Sequence, residues 1–171
     1  MAAKYILIDE LFAILGWLNS QRPGGADSHF GLFLVTFEDP QVLGTTFGAP
    51  DAVRRLDKFG KTVASGLRRG DLVTRYVADF WILTPECNSE MVGCRLSEIA
   101  AKVKELGLDI VHCKISAYVF PLSHAEPPVN SLTALDSLKN LPPTYKFDPA
   151  SGSISCGPTA SAGTRLLSLL V

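Results

Sequence analysis

The densest chemistry in the sequence lies in one short stretch, Arg68-Arg69-Gly70-Asp71, with Arg75 close behind it. An arginine fork can grip a phosphate, or the hydrogen-bonding edge of a nucleobase, through two parallel bonds. A carboxylate on the same turn can accept from N–H groups of the base. Arg69 and Arg75 would add positive potential, and guanidinium planes stack on purine faces. The plainer account is a solvated helix end. Cations suit the C-terminal end of a helix dipole, and Gly-Asp is ordinary turn chemistry.

Other reactive residue types are scattered. His29, His112 and His124 have no sequence-adjacent carboxylate and read as surface or strand positions. Cys87, Cys94, Cys113 and Cys156 form no CxxC pair and no Cys/His cluster at metal spacing, so they read as reduced thiols, with Cys94 packed as a small hydrophobe. Glu38 and Asp39 could catch a cation weakly, although a loop carboxylate pair is the blander account. Trp17 and Trp81 read as core residues. No metal ligand set, cofactor or catalytic residue emerges.

The elements that must position these residues follow from periodicity. Ile8, Leu11, Phe12, Leu15 and Leu18 recur at helical spacing, giving an amphipathic helix that docks on its own domain or on a second copy. Residues 21–28 read as a loop. Residues 30–37 are a nearly continuous apolar run, as in a buried central strand, broken by Asp39-Pro40. Asp51 is the expected N-cap of a helix with Val53, Leu56, Phe59, Val63 and Leu67 inward, ending near Gly70. Its other side carries Arg54, Arg55, Lys58 and Lys61, a solvated basic face. Strands at 72–76 and 80–84 form a hairpin. A second helix starts at Asn88 or Ser89, buries Val92, Leu96, Ile99, Val103 and Leu106, and stops at Gly107. Residues 110–120 are a long strand closed by Pro121.

The predicted fold is therefore α/β, a central sheet with helices packed on it. Residues 1–28 form an N-terminal helix and loop, 29–121 the domain, and 122–171 a loosely folded, irregular C-terminal extension. That extension has one possible short helix at 131–139 and an apolar end at 166–171 that could add an edge strand or helix.

Bulk properties narrow the class. With 16 Lys and Arg against 17 Asp and Glu, the net charge is −1, which gives no sign of a bulk nucleic-acid binder or a polybasic membrane patch. The apolar fraction of 47% over 171 residues suits one domain with a real core. The apolar N-terminal segment is too short to span a bilayer. A cytoplasmic location is the expectation, from the thiols.

Over residues 29–121 the order of elements and several strings resemble the GGDEF domain of diguanylate cyclases. In that family an RxxD stretch and an arginine-bearing strand lead into the signature hairpin. Here Arg68-Arg69-Gly70-Asp71-Leu72-Val73-Thr74-Arg75-Tyr76 leads into Val77-Ala78-Asp79-Phe80 and the apolar Trp81-Ile82-Leu83-Thr84-Pro85. Lys114-Ile115-Ser116-Ala117 is similar to the family's Ser-Ile-Gly strand, and residues 33–48 match its first strand and turn.

The departures imply a degenerate member without cyclase activity. The hairpin glycines are replaced by Val77 and Ala78, only Asp79 stands for the acidic pair, and the metal-binding aspartate falls on Thr36. The guanine-reading pair falls near Gly44 and Thr45. The resemblance also implies a second site. The family's RxxD binds cyclic di-GMP, which Arg68 and Asp71 would do here with Arg69, Arg75 and, from the next helix, Arg95. Two expectations follow: a cyclic di-GMP receptor, or a nucleotide-independent scaffold that binds a protein partner or a second copy through its terminal segments.

Overall fold

Residues 30–37 form the middle strand of a seven-stranded sheet in the computed structural model, which describes residues 4–20, 30–85, 87–120, 139–149 and 151–157. This strand, β2 (Phe30–Phe37), is antiparallel to a strand on each side. It pairs with β4 (Asp79–Thr84) from Gly31↔Thr84 to Thr36↔Asp79, and with β5 (Cys113–Phe120) from Phe30↔Phe120 to Phe37↔Cys113. A strand covered on both faces must be apolar at every position, which is why β2 shows no alternation. β3 (Leu72–Tyr76) hairpins onto β4, and β1 (Lys4–Tyr5) adds parallel to β3. On the other side β6 (Tyr145–Asp148) pairs with β5, and β7 (Ser153–Cys156) closes that edge.

Two cores sandwich the sheet. The front core holds Phe33, Val35, Phe37, Phe59, Phe80, Ile82, Leu96 and Ile115 beneath α3 (Ala49–Gly66) and α4 (Ser89–Glu105). The rings of Phe37, Phe59 and Phe80 meet edge-to-face, with centroids 4.9 to 6.3 Å apart. On the back, α1 (Ile8–Ser20) lays Leu11 over Leu32, Leu34, Trp81, Leu83 and Tyr118. The N-terminal helix thus docks on its own domain. Of the two tryptophans, Trp81 is buried as expected, whereas Trp17 is 60% exposed, on the outer side of α1.

Several boundaries differ from the sequence reading. Pro40 opens a short helix, α2 (Pro40–Phe47), because its missing N–H costs nothing in a first turn. α3 then starts at Ala49 with Gly48 as its cap, so Asp51 sits in the first turn, paired with Arg54. Ala52 takes the inward position expected for Val53, which is exposed. α3 ends at Gly66, not Gly70. Arg55 is no solvated charge: it lies 3.8 Å over the Phe47 ring and donates to the Leu106 carbonyl at 2.6 Å, bracing α2 and α3 against the end of α4. α4 is capped by Asn88, whose side chain accepts from the Met91 N–H at 2.8 Å, and is followed by Gly107 at φ 64°. Cys94 on α4 is exposed rather than packed. β5 begins at Cys113, after a turn, rather than at 110.

The largest difference lies after Pro121. Residues 145–156, expected within an irregular extension, form the β6–β7 hairpin and continue the sheet. Thr144 helps by accepting the Val119 N–H on its hydroxyl at 3.0 Å. Of the helix expected at 131–139, only Lys139 lies within the described residues, where it is helical with Asn140; the apolar end at 166–171 lies outside them. Among the described residues, no helix is long and apolar enough to cross a membrane.

The β3–β4 turn is strained. Val77 holds φ at 57°, a region β-branched residues avoid. Val77 is also 71% exposed, so no packing compensates it. Replacing it by glycine is expected to raise stability by about 1 kcal/mol, after the entropy cost of glycine is subtracted from the relieved strain. Urea unfolding checks this, and a lower midpoint for Val77→Gly contradicts it.

Candidate functional site

α3 stops where Leu67 turns inward to the front core, and the chain then makes a tight turn over residues 68–71. Two bonds close it. The Asp71 N–H donates to the Arg68 carbonyl at 3.0 Å, and the Arg68 N–H donates to Asp71 Oδ2 at 2.9 Å. Asp71 is 1% exposed. A buried carboxylate needs a cation, and α4 supplies one: Arg95 Nη2 donates to Asp71 Oδ2 at 3.3 Å. Arg95 Nη1 also donates to Glu98 Oε2 at 2.9 Å and to the Gly66 carbonyl at 3.4 Å. The two Arg95 donations to Asp71 and to the Gly66 carbonyl thus lock the end of α3 and its turn to α4. Burial pushes the neighbouring Cys87 thiol up to about 11, with Asp71 adding to the shift and Arg95 opposing it.

Arg68, Asp71 and Arg95 are therefore brought together, with Arg95 in direct contact. Over them lies an open groove of about 420 Å3, lined by Gly66, Arg68, Glu90, Met91, Cys94, Arg95 and Glu98. Arg68 is exposed, and Arg95 forms the floor. Arg69 is exposed on the same turn. Arg75 does not join them. It pairs with Asp57, donates to the Val77 carbonyl at 2.7 Å and sits 5.6 Å from the Phe80 ring centroid. The sequence reading missed the acidic rim. The Arg95–Glu98 spacing of one helical turn was a legible signal for half of it.

The other end of β2 carries Thr36, where the resemblance places the family's metal-binding aspartate. Thr36 stands between Asp79 on β4 and Lys114 on β5. Asp79 is buried and paired with Lys139. Glu38 is held by Lys114 and by His112 Nδ1, the latter at 2.6 Å. The Lys114 hydrogen bond, with help from His112, holds the Glu38 carboxyl below its usual value. A threonine, and a carboxylate already bound to an ammonium, do not fit a triphosphate-bound divalent cation, which wants several free oxygen ligands. Among the described residues, no three His, Cys, Asp or Glu side chains are grouped to hold a metal ion. On α2, Thr45 spends its hydroxyl on the Val42 carbonyl at 3.0 Å, and Gly44 offers no side chain for guanine.

Solved structures with this fold are GGDEF domains. The diguanylate cyclase SiaD of Pseudomonas aeruginosa, solved in complex with its activator SiaC, superposes with a TM-score of 0.57 at 20% identity over 70% of this chain. This chain spans only 48% of SiaD. The GGDEF domain of TpbB (YfiN), also from Pseudomonas aeruginosa, gives 0.53 at 15% identity, covering 67% of this chain and 71% of that one. A microbial GGDEF domain solved with cyclic di-GMP gives 0.53 at 16% identity, covering 68% and 72%. At these identities the likeness is one of fold. No family model matches the chain, and no curated protein matches it.

Two outcomes follow from the geometry. Asp71→Ala takes from Arg95 its buried carboxylate, leaving it Glu98 and the Gly66 carbonyl, and opens the 68–71 turn; it is expected to cost about 3 kcal/mol, or roughly 10 °C in the melting midpoint. A midpoint within about 2 °C of the parent contradicts the lock. The second concerns pH. A carboxyl whose folded pKa is depressed adds stability above its unfolded pKa and loses it as pH falls through the folded one. Lys114→Met is therefore expected to move the Glu38 titration upward, seen in carboxyl NMR shifts; an unmoved titration means that the pair does not form in solution.

Proposed function

We propose that this chain is a catalytically inactive GGDEF-like signalling module that binds cyclic di-GMP in the groove between the end of α3 and α4. The observation that carries this reading is the convergence of Arg68, Asp71 and Arg95 beside one open groove. Arg68 is the exposed cation and the expected direct contact, gripping a phosphodiester or a guanine edge bidentately. Arg95 floors the groove and can reach the ligand by exchanging its bond to the exposed Glu98. Asp71 acts as a positioning residue here, because its carboxylate is turned inward onto Arg95 and the Arg68 N–H. Arg69 adds positive potential from the same turn, and Arg75 is outside the site. The inactive half of the reading rests on the hairpin and metal positions: Val77 and Ala78 in place of glycines, and Thr36 and a Lys139-bound Asp79 in place of metal ligands.

One observation favours a different reading. Glu90 and Glu98 rim the groove and repel a ligand with two phosphodiester charges. A nucleotide-independent scaffold, bound to a protein partner or a second copy, would tolerate them. Calorimetric titration with cyclic di-GMP separates the two. The receptor reading expects saturable binding, weakened at least tenfold in Arg68→Ala with an unchanged melting midpoint, and tightened in Glu98→Gln. No heat from a folded sample removes the receptor and leaves the scaffold. Turnover of GTP by the protein with magnesium would overturn the claim of inactivity.

A further inference from the structure

Thr84, at the end of β4, is 1% exposed, and its hydroxyl meets no hydrogen-bond partner. A buried polar group left in that state costs free energy. Register fixes where it stands. Phe80 and Ile82 point into the front core, so Thr84, two residues on, shares their face. Leu72 pairs with Leu83, and one step further along the two antiparallel strands Asp71 lies opposite Thr84. Asp71 is two residues from front-core Val73 and is buried on the same face. Directly opposed side chains have Cβ atoms about 5 Å apart, so a change of χ1 rotamer can bring the hydroxyl to the carboxylate. On its other side Thr84 pairs with Gly31, which has no side chain to compete. The nearby Cys87 thiol is turned to the Asn88 carbonyl, 3.9 Å away.

A reserve donor at this point matters if Arg95 is to act on a ligand. Releasing Glu98 frees Nη1 alone. Every two-pronged grip of a guanidinium also uses Nη2, and Asp71 holds that nitrogen at 3.3 Å, longer than the ~2.8 Å of a tight charge-assisted pair. Drawing Nη2 away would leave Asp71 with the Arg68 N–H as its one remaining donor, a poor state for a carboxylate 1% exposed.

We propose that Thr84 is a positioning residue for this site: its hydroxyl donates to Asp71 when Arg95 Nη2 leaves for an anionic ligand, so that the 68–71 turn and Arg68 keep their place. The use made of this exchange rests on the receptor reading, whereas the exchange itself is tested without nucleotide. Thr84→Val removes the hydroxyl and keeps the shape. In the parent, where the hydroxyl is unbonded, the change is expected to leave the melting midpoint unchanged or raise it. In an Arg95→Met background, where Asp71 has lost its guanidinium, the same change is expected to lower the midpoint by about 4 °C. Arg95→Leu serves as the background if Arg95→Met does not fold. A difference between backgrounds below about 2 °C overturns the proposal, as does a fall of that size in the parent, which means a hydroxyl already bonded. Failure of both Arg95 variants to fold overturns it too, because Asp71 then has no substitute donor. None of these outcomes bears on whether cyclic di-GMP binds, and a chain that ignores the nucleotide still shows the exchange.

Discussion

Everything in this domain is arranged around one strand that has no solvent side. β2 is hydrogen-bonded along both edges and covered on both faces, by α3 and α4 in front and α1 behind. Fully burying each of its large side chains contributes about 1.5–3 kcal/mol, but only if both covers are in place. That condition explains why the N-terminal helix belongs to the domain: without it Leu32, Leu34 and Trp81 would face water. It also explains Gly31, where an added Cβ would lie 2.6 Å from Cys87 Sγ. The front core leaves no room at that point of β2.

The two ends of this sheet have been put to different uses. At the hairpin end, charges are matched pairwise: Asp79 with Lys139, Glu38 with Lys114 and His112. Such pairing serves a packed structural end and leaves little for a metal to bind. At the end of α3 the arrangement is lopsided. One buried carboxylate holds one buried guanidinium, while Arg68 projects outward from the same turn. The buried pair fixes the turn, and the turn fixes where Arg68 stands. A site built this way has a rigid base, with Arg68 and Arg69 exposed on the turn above it.

The C-terminal third shows how a compositional reading can mislead. Its Ser, Thr, Pro and Gly content looks like a linker, yet residues 145–156 pair as β6 and β7 and carry Phe147 into the front core. A strand of four residues has too short a pattern to stand out from its surroundings. It gains its stability from β5, which offers a free edge at Ile115, Ser116 and Ala117.

The sequence by itself determined the elements whose patterns are long: the apolar run of β2, the helical stripes of α1, α3 and α4, the Asn88 cap and the Gly107 stop. These are local consequences of periodicity and backbone preference, so no partner is needed to read them. It also marked Arg68, Asp71 and Arg95 as candidates. Only the tertiary structure decided what those residues do. It turned Asp71 inward onto Arg95, took Arg75 away to Asp57, made Arg55 a brace between helices, and set Lys139 on Asp79. In each case the partner comes from a different element, so the outcome depended on which surfaces the packed sheet brought together. An ionisable side chain takes the role its neighbours leave it, and those neighbours are fixed by the fold.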